Sequence, residues 1–146
     1  MSQEDAVAIT TWRYPPPYDF YDADADPGDL AELLDPRQRE GRYFSARADG
    51  RLIGYAQVSA GEGTVDIGLG LRPDLTGRGL GSSFLDAVMA FARESHEPVR
   101  FTLSVAAFNR RAIRVYERAG FEVSRRYRHF SADRTSDFLE MTRPER

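Results

Sequence analysis

The stretch Thr76-Gly77-Arg78-Gly79-Leu80-Gly81-Ser82 joins a predicted strand at residues 64–71 to a predicted helix at residues 82–94. Its three glycines alternate along the turn, and without Cβ atoms the backbone can curl and direct successive N–H groups at one point. These groups continue into the unpaired N–H groups at the start of the helix, where the helix dipole favours negative charge. The stretch therefore predicts an anion site between a strand and a helix.

Two common nucleotide-binding motifs do not fit this turn. The dinucleotide-binding motif Gly-x-Gly-x-x-Gly, read from Gly77, requires a third glycine where the sequence has Ser82. That motif also follows the first strand of its fold, whereas three predicted strands and a helix precede the strand that leads into this turn. The phosphate-binding loop of P-loop proteins requires Gly-Lys-Ser/Thr, and the chain contains no lysine. A glycine turn without a ligand is the remaining alternative.

The other elements are predicted from hydrophobic periodicity and turn residues. Gly68 and Gly70 lie inside the strand at residues 64–71, which indicates a bulge or a close approach by another backbone or a ligand. Asn109 is a suitable N-cap for the last helix, and Gly120 is a suitable residue to end it. Strands are predicted at 6–12, 43–48, 52–60, 64–71, 99–105, 121–130 and 137–142, helices at 28–34, 82–94 and 109–119, and a polar turn at 131–135.

This order, β-α-β-β-β-α-β-α-β-β, predicts a mixed α/β (α+β) fold in which helices flank a sheet of about six or seven strands. The chain of 146 residues, 41% of them hydrophobic, is expected to form one domain over residues 1–146. Its apolar runs are too short to span a bilayer, and its acidic N-terminus differs from that of a secretory signal. We therefore expect a cytoplasmic protein without a membrane partner.

The composition limits the chemistry further. Cysteine is absent, which excludes disulfides, thiolate catalysis and zinc–thiolate sites. The two histidines, His96 and His129, are far apart in the sequence, so no metal site is expected. The net charge of −3 argues against a nucleic-acid partner. Residues 1–75 carry 14 acidic and 7 basic side chains and residues 76–146 carry 9 and 13, so the halves suit a cationic and an anionic ligand respectively.

The glycine turn and a second motif together resemble signatures of the GNAT superfamily of acetyltransferases. Residues 76–81 match the family pattern Gln/Arg-x-x-Gly-x-Gly/Ala at both glycine positions, with Thr76 in place of the usual glutamine or arginine. Residues 109–121, Asn-Arg-Arg-Ala-Ile-Arg-Val-Tyr-Glu-Arg-Ala-Gly-Phe, are similar to the second signature in their asparagine, helical tyrosine and Gly-Phe ending. The resemblance covers about residues 40–145 and implies one N-acetyltransferase domain with a mostly antiparallel sheet.

The resemblance also implies acetyl-CoA as the acyl donor. The family's fourth and fifth strands, here residues 64–71 and 99–105, splay apart, and the pantetheine arm lies between them. The backbone of Leu69, Gly70 and Leu71 would pair with this arm, and an N–H of Leu69 or Gly70 would polarise the thioester carbonyl.

The same resemblance assigns the phosphate end of the donor. The turn from Thr76 to Ser82 would hold the pyrophosphate. The first residue of the signature usually makes one of the contacts, and the threonine at this position puts that contact in question. Asn109 would contact the pantetheine or the far end of the cofactor, and a plain helix N-cap is its alternative role.

Direct acetyl transfer to a primary amine requires loss of a proton from the amine and protonation of the departing thiolate. Tyr116 is the predicted acid, because a phenol of pKa about 10 can donate to a thiolate whose thiol has a pKa of about 8.5. Packing in the core is the alternative role of Tyr116. Asp66 is the predicted base, with an ordinary strand residue as the alternative, and Glu140 and His129 are weaker candidates.

An aromatic, proline-rich segment at residues 12–21 is the predicted acceptor side, and five aspartates lie between residues 19 and 29. Aromatic faces and carboxylates suit a cationic amine, whereas a flap that covers the core is the alternative. The acceptor is expected to be the amine of a small molecule or peptide, and a homodimer is compatible with the resemblance. A catalytically weak acyl-CoA-binding or sensor module is the alternative function. The predicted substrate-binding residues are Trp12, Tyr14, Tyr18 and Tyr21.

Overall fold

The computed structural model describes residues 1–131 and 134–145 of the chain. Within these residues, no helix is both long and apolar enough to cross a membrane. The predicted polar turn at residues 131–135 lies partly outside the described residues. The helices are α1 (Gln3–Ile9), α2 (Pro27–Leu34), α3 (Pro36–Arg39), α4 (Gly81–Ser95) and α5 (Arg110–Arg118), the strands are β1 (Tyr43–Ala48), β2 (Arg51–Ala60), β3 (Thr64–Leu71), β4 (Arg100–Ala106), β5 (Glu122–Ser131) and β6 (Arg134–Pro144), and short 3₁₀ turns lie at Tyr18–Tyr21, Ala23–Ala25 and Pro73–Leu75.

The six strands found in the described part of the chain form one sheet in the order β1-β2-β3-β4-β6-β5. Every neighbouring pair is antiparallel except β3 and β4, which are parallel. A parallel pair needs a crossover connection, and α4 supplies it between β3 and β4. The predicted mixed α/β fold with a mostly antiparallel, helix-flanked sheet is therefore confirmed.

The pairing of β3 with β4 is short. Thr64–Asp66 pair with Arg100–Thr102, and the register between the two strands ends there. Beyond this point β3 continues along β2 to Leu71, and β4 continues along β6 to Ala106. The two strands consequently diverge, as the family resemblance implied, and a cleft opens between them.

One face of the sheet carries the main hydrophobic core, and α4 and α5 cover it. Buried strand residues such as Ile67 and Leu103 pack here with Leu85 and Met89 of α4 and with Phe121, which follows α5. Leu85, Val88, Met89 and Ala92 are spaced by three or four residues, so they form the single buried stripe of α4. This packing holds the starts of both helices against the sheet on the side where β3 and β4 diverge.

The opposite face of the sheet is covered at one end by α1 and α2. Ala6 and Ile9 of α1, Leu33 of α2 and Tyr43 of β1 form a second buried cluster. The helix α2 was predicted at residues 28–34, and Asp26 caps it by accepting hydrogen bonds from the N–H groups of Gly28 and Asp29 at 2.7 and 3.1 Å. These helices leave the middle of this face to the cleft.

The predicted strand at residues 6–12 is wrong, because this region begins in the helix α1. The Ser2 side chain accepts a hydrogen bond from the N–H of Asp5 at 3.0 Å, which caps the helix start. Ala6 and Ile9 are three residues apart and face the same buried cluster, so the apolar residues satisfy a helical period as well as an alternating one. The first element of the predicted order is therefore a helix, and the observed sheet begins at β1.

Asp5 ties α1 to β1. The Arg47 guanidinium donates to both carboxylate oxygens of Asp5 at 2.6 and 2.8 Å, and the Ser45 hydroxyl donates to one of them at 2.7 Å. The hydrogen bond from Ser45, together with Arg47, lowers the pKa of Asp5 despite the opposing effect of burial. The ionised form of Asp5 therefore stabilises the folded state.

We predict that Asp5→Asn lowers the free energy of unfolding at neutral pH by about 1–3 kcal/mol, the range for losing hydrogen bonds to a charged buried group. Because the pKa of Asp5 is lower in the folded state, its contribution is present above the unfolded-state pKa of about 3.9 and is lost as the pH falls through the folded-state pKa. Urea unfolding at pH 7 and below pH 4 should show the difference from wild type shrinking in acid. Glu4→Gln, an exposed acid on the same helix, is the control, and an equal loss in both variants would contradict the assignment.

Candidate functional site

A cleft of about 880 Å³ occupies the space between the diverging strands. Its walls come from β3, β4, the glycine turn before α4, one side of α5 and the aromatic segment before α2. Ligand pockets commonly measure about 300–1,000 Å³, so this cleft can hold a large cofactor together with a small second substrate.

The edge of β3 forms one wall, and Leu69, Gly70 and Leu71 all line the cleft as predicted. The register of β3 with β2 is unbroken from Val65 to Leu71, so the glycines do not mark a bulge towards β2. They mark a close approach by a side chain. A Cβ atom on Gly70 would lie 2.2 Å from the Tyr55 ring, which crosses β3 from β2. Gly70 therefore admits the Tyr55 ring that lines the cleft beside it.

The glycine turn forms one end of the cleft. Gly77 and Gly79 have φ values of 73° and 77°, in the left-handed region that favours glycine. The helix α4 starts at Gly81 with no side-chain cap on its first N–H groups, so the backbone there can receive an anion. Most of the predicted phosphate-binding residues line the cleft, namely Thr76, Gly77, Gly79, Leu80, Gly81 and Ser82. Arg78 is not among the described lining residues.

The threonine and the glycines of this turn make different contacts. The Thr76 hydroxyl donates to the carbonyl of Pro73 at 2.8 Å, so the side chain at the variant signature position is engaged within the preceding 3₁₀ turn. Gly77 and Gly81 lie against α5, since Cβ atoms there would meet Arg111 Nη1 at 3.4 Å and a Val115 methyl at 3.3 Å. The glycines thus allow α5 to pack directly on the turn.

The helix α5 directs Asn109 and Tyr116 into the cleft. They are seven residues apart, close to two helical turns, so they lie on the same side of the helix. Asn109 caps the helix through a hydrogen bond from the N–H of Ala112 at 3.2 Å, and its amide donates to the Tyr21 hydroxyl at 3.2 Å. Burial raises the pKa of Tyr116 to about 12, with a smaller contribution from Tyr21. The Tyr116 phenol is therefore neutral across the physiological pH range.

Tyrosines of the predicted acceptor segment span the cleft. The Tyr14 hydroxyl donates to the carbonyl of Leu71 on β3 at 2.6 Å, and the Tyr21 hydroxyl accepts from the N–H of Ala106 on β4 at 3.3 Å. Tyr18 also lines the cleft. Trp12 does not line it among the described residues and packs instead in the α1–α2 cluster, 6.3 Å from the Tyr55 ring.

The structure does not bring Asp66, the predicted base, into the described lining of the cleft. Asp66 lies where β3 and β4 are still paired, and the Thr102 hydroxyl donates to its carboxylate at 2.7 Å. Burial raises the pKa of Asp66, and the Thr102 hydrogen bond partly opposes this. Glu140, a weaker candidate, accepts hydrogen bonds from Ser124 and Arg125 at the sheet surface. His129 does line the cleft.

The carboxylates of residues 19–29 were expected on the acceptor side, and three of them, Asp22, Asp26 and Asp29, line the cleft. Asp29 lines the cleft, and burial, followed by the charges of Asp26 and Glu32, raises its pKa, whereas the charge of His129 opposes this. Tyr127 was missed at the sequence level. The alternation of β5 was the available signal, because Tyr127 is two residues from the candidate His129 and so faces the same side of the strand. The other missed residues used below are Arg111, Arg114, Arg118 and Phe138.

The comparisons with known proteins agree with this geometry. A family model described as the acetyltransferase (GNAT) family matches residues 5–121. An uncharacterized N-acetyltransferase of Mycobacterium tuberculosis is 34% identical over 109 residues, which cover 72% of this chain and 67% of that protein. Both findings connect the glycine turn and the diverging strands to one family.

Solved structures share the fold at lower identity. A spermidine N-acetyltransferase chimera built on SpeG from Vibrio cholerae has a TM-score of 0.75 and 16% identity, covering 99% of this chain and 92% of that one. The aminoglycoside acetyltransferase AAC(6')-Ib, bound to paromomycin and acetyl-CoA, has a TM-score of 0.74 and 21% identity, covering 99% and 90%. These likenesses establish the arrangement of strands and helices around the cleft.

Proposed function

The chain belongs to the acetyltransferase (GNAT) family, and from this membership we propose that it transfers an acetyl group from acetyl-CoA directly to a primary amine of a small molecule or peptide. The observation that carries the proposal is the cleft between β3 and β4, which has the glycine turn at one end and the Tyr116 phenol within it. Such a cleft can receive an extended acyl donor and bring a second substrate to its reactive end.

The residues present fit acetyl-CoA. Beyond Asp66, β4 no longer pairs with β3. This edge of β3 therefore supplies backbone groups for the amides of the pantetheine arm. The left-handed glycines Gly77 and Gly79 and the uncapped start of α4 supply N–H groups for the pyrophosphate. Acetyl-CoA brings an activated thioester, and the protein must position it, polarise its carbonyl and manage two protons.

We assign Tyr116 to the departing sulfur. A phenol with a pKa of about 12 holds its proton strongly, so it acts by donating a hydrogen bond to the developing thiolate rather than by ionising beforehand. Because the raised pKa keeps the donor form populated, this role does not weaken at moderately alkaline pH.

Tyr116→Phe should lower kcat by roughly 10²–10⁴, the range for removing a general acid, while the Kd for acetyl-CoA stays within about threefold. Release of free CoA measures kcat, and calorimetry measures Kd. Wild-type kcat should not fall on the alkaline side below about pH 11, because Tyr116 ionises only near pH 12. Tyr127→Phe is the control, since it removes another cleft phenol, which donates to Ser104 at 3.0 Å.

The outcomes separate the candidate functions. Near-wild-type turnover by Tyr116→Phe would contradict the acid role. Binding of acetyl-CoA without release of CoA for any amine would instead indicate an acyl-CoA-binding module. Failure of the wild-type protein to bind acetyl-CoA would remove both functions.

We propose His129, rather than Asp66, as the group that receives the amine proton. His129 lines the cleft, lies edge-on to Phe138 with ring centroids 5.4 Å apart, and is close enough to Asp29 to influence its pKa. Asp66 faces the paired part of the strands and is engaged by Thr102.

His129→Gln should lower kcat/KM by about 10²-fold or more at neutral pH, whereas Asp66→Asn should change it by less than about threefold. The two substitutions are matched because each keeps a polar side chain of similar size. The reverse pattern would restore Asp66 as the base.

We propose that the acceptor is a cationic amine. Asp22, Asp26 and Asp29 line one part of the cleft, close to its aromatic rings, whereas arginines line the side of α5 beside the glycine turn. Opposite charges at the two sites suit an anionic donor and a cationic acceptor, each attracted to its own region. The aromatic rings Tyr21 and Phe138 add faces that attract ammonium groups.

Asp29→Asn should raise KM for an alkyl diamine about three- to tenfold, the range expected for losing one exposed charge contact, and should leave KM for acetyl-CoA unchanged. Steady-state kinetics with a diamine and with a monoamine that has no second charged group measures this difference in KM. Asp19→Asn is the control, because Asp19 carries the same charge in the same segment but does not line the described cleft. A preference of the wild-type enzyme for acidic amines would contradict the charge argument.

A further inference from the structure

Three arginines of α5 form a basic wall beside the glycine turn. Arg111, Arg114 and Arg118 line the cleft, and all three side chains are exposed. Within the described residues, none of them takes part in an ion pair. Arg114 and Arg118 are four residues apart, a spacing that destabilises a helix when both charges have the same sign. An anion between them would relieve this repulsion.

The turn runs along α5 in a defined direction. Gly77 lies at Arg111, and Gly81 lies at Val115, one helical turn further on. Arg118 follows Val115 by three residues on the same side of the helix, so it lies beyond the end of the turn at which α4 begins. The wall therefore extends past the backbone groups that suit a pyrophosphate.

The first arginine has a different setting from the other two. Arg111 is stacked on the Tyr18 ring, with its guanidinium carbon 4.2 Å from the ring centre, and it reaches the first glycine of the turn. It is thus held beside the groups assigned to the pyrophosphate. Arg114 and Arg118 are left for a further anionic group.

We propose that Arg114 and Arg118 form a separate subsite for a phosphomonoester dianion, the 3′-phosphate of the CoA ribose. This inference rests on the proposed use of acetyl-CoA. Guanidinium groups recognise phosphate oxygens through paired hydrogen bonds, and a dianion matches two adjacent arginines. The subsite makes the enzyme prefer a donor that carries the 3′-phosphate over one whose ribose lacks it.

The test compares CoA with 3′-dephospho-CoA, which differs only at the phosphate in question. Calorimetry on the wild-type protein should give a Kd for CoA about 10–100-fold lower, the range for charge-assisted hydrogen bonds. In Arg118→Gln and in Arg114→Gln, CoA binding should weaken by about tenfold, while dephospho-CoA binding should stay within about twofold. The ratio of the two Kd values should therefore fall towards one.

Arg110→Gln is the matched control, because Arg110 is an exposed arginine of the same helix that does not line the described cleft. It should leave the ratio of the two Kd values unchanged. Thermal unfolding of all three variants checks that α5 stays folded, and a variant that loses stability is replaced by the corresponding alanine substitution, which favours the helix.

The outcomes distinguish this inference from the proposed function. Equal Kd values of CoA and dephospho-CoA for the wild-type protein would overturn the subsite and leave acetyl-CoA use intact. Equal weakening of both ligands by Arg118→Gln and Arg114→Gln would also overturn it, by assigning these arginines to the pyrophosphate. If neither ligand binds the wild-type protein, the proposed function itself fails.

Discussion

The site depends on one interruption in backbone pairing, at the point where β3 and β4 separate after Asp66 and Thr102. Both strands stay ordered beyond this point because each keeps its other neighbour, β2 for β3 and β6 for β4. A strand edge without a partner must satisfy its polar groups elsewhere. Here the Tyr14 hydroxyl satisfies the carbonyl of Leu71, and the proposed pantetheine arm would satisfy others. The cleft is therefore a built feature of the sheet rather than a gap in packing.

The helix α5 organises the chemistry around this cleft by presenting two different sides. Asn109 and Tyr116 lie on one side, towards the aromatic segment. Arg111 and Val115 lie against Gly77 and Gly81 of the glycine turn, and Arg111 also stacks on the Tyr18 ring. One helix thus separates a neutral proton donor from a row of positive charges. In the proposed reaction, this separation would keep the attraction for the phosphates of acetyl-CoA away from the place where the amine loses its proton.

The sequence supported some predictions well and others poorly, for identifiable reasons. The turn at residues 76–82 and the position of Tyr116 follow from the spacing of nearby residues. Within a helix or a turn, this spacing fixes which residues lie on the same side. Asp66 also lies on the strand where it was expected, but only the extent of β3–β4 pairing reveals that it does not line the described cleft. The predicted strand at residues 6–12 became the helix α1 because its apolar residues satisfy both periods and a capping serine precedes it. Trp12 follows this helix and packs in the α1–α2 cluster beside Tyr55.

By itself, the sequence determined the fold class, the glycine turn between a strand and a helix, the helix that carries Asn109 and Tyr116, and the opposite charges of the two halves. These properties depend on residue type and on short spacings, which are written directly in the chain. Only the tertiary structure decided which charges face the cleft. Asp29 and His129 are 100 positions apart in the sequence, and Arg118 lies beyond the end of the glycine turn because Val115 packs on Gly81. Contacts between distant segments depend on how the whole sheet and its helices pack, and no local pattern encodes them.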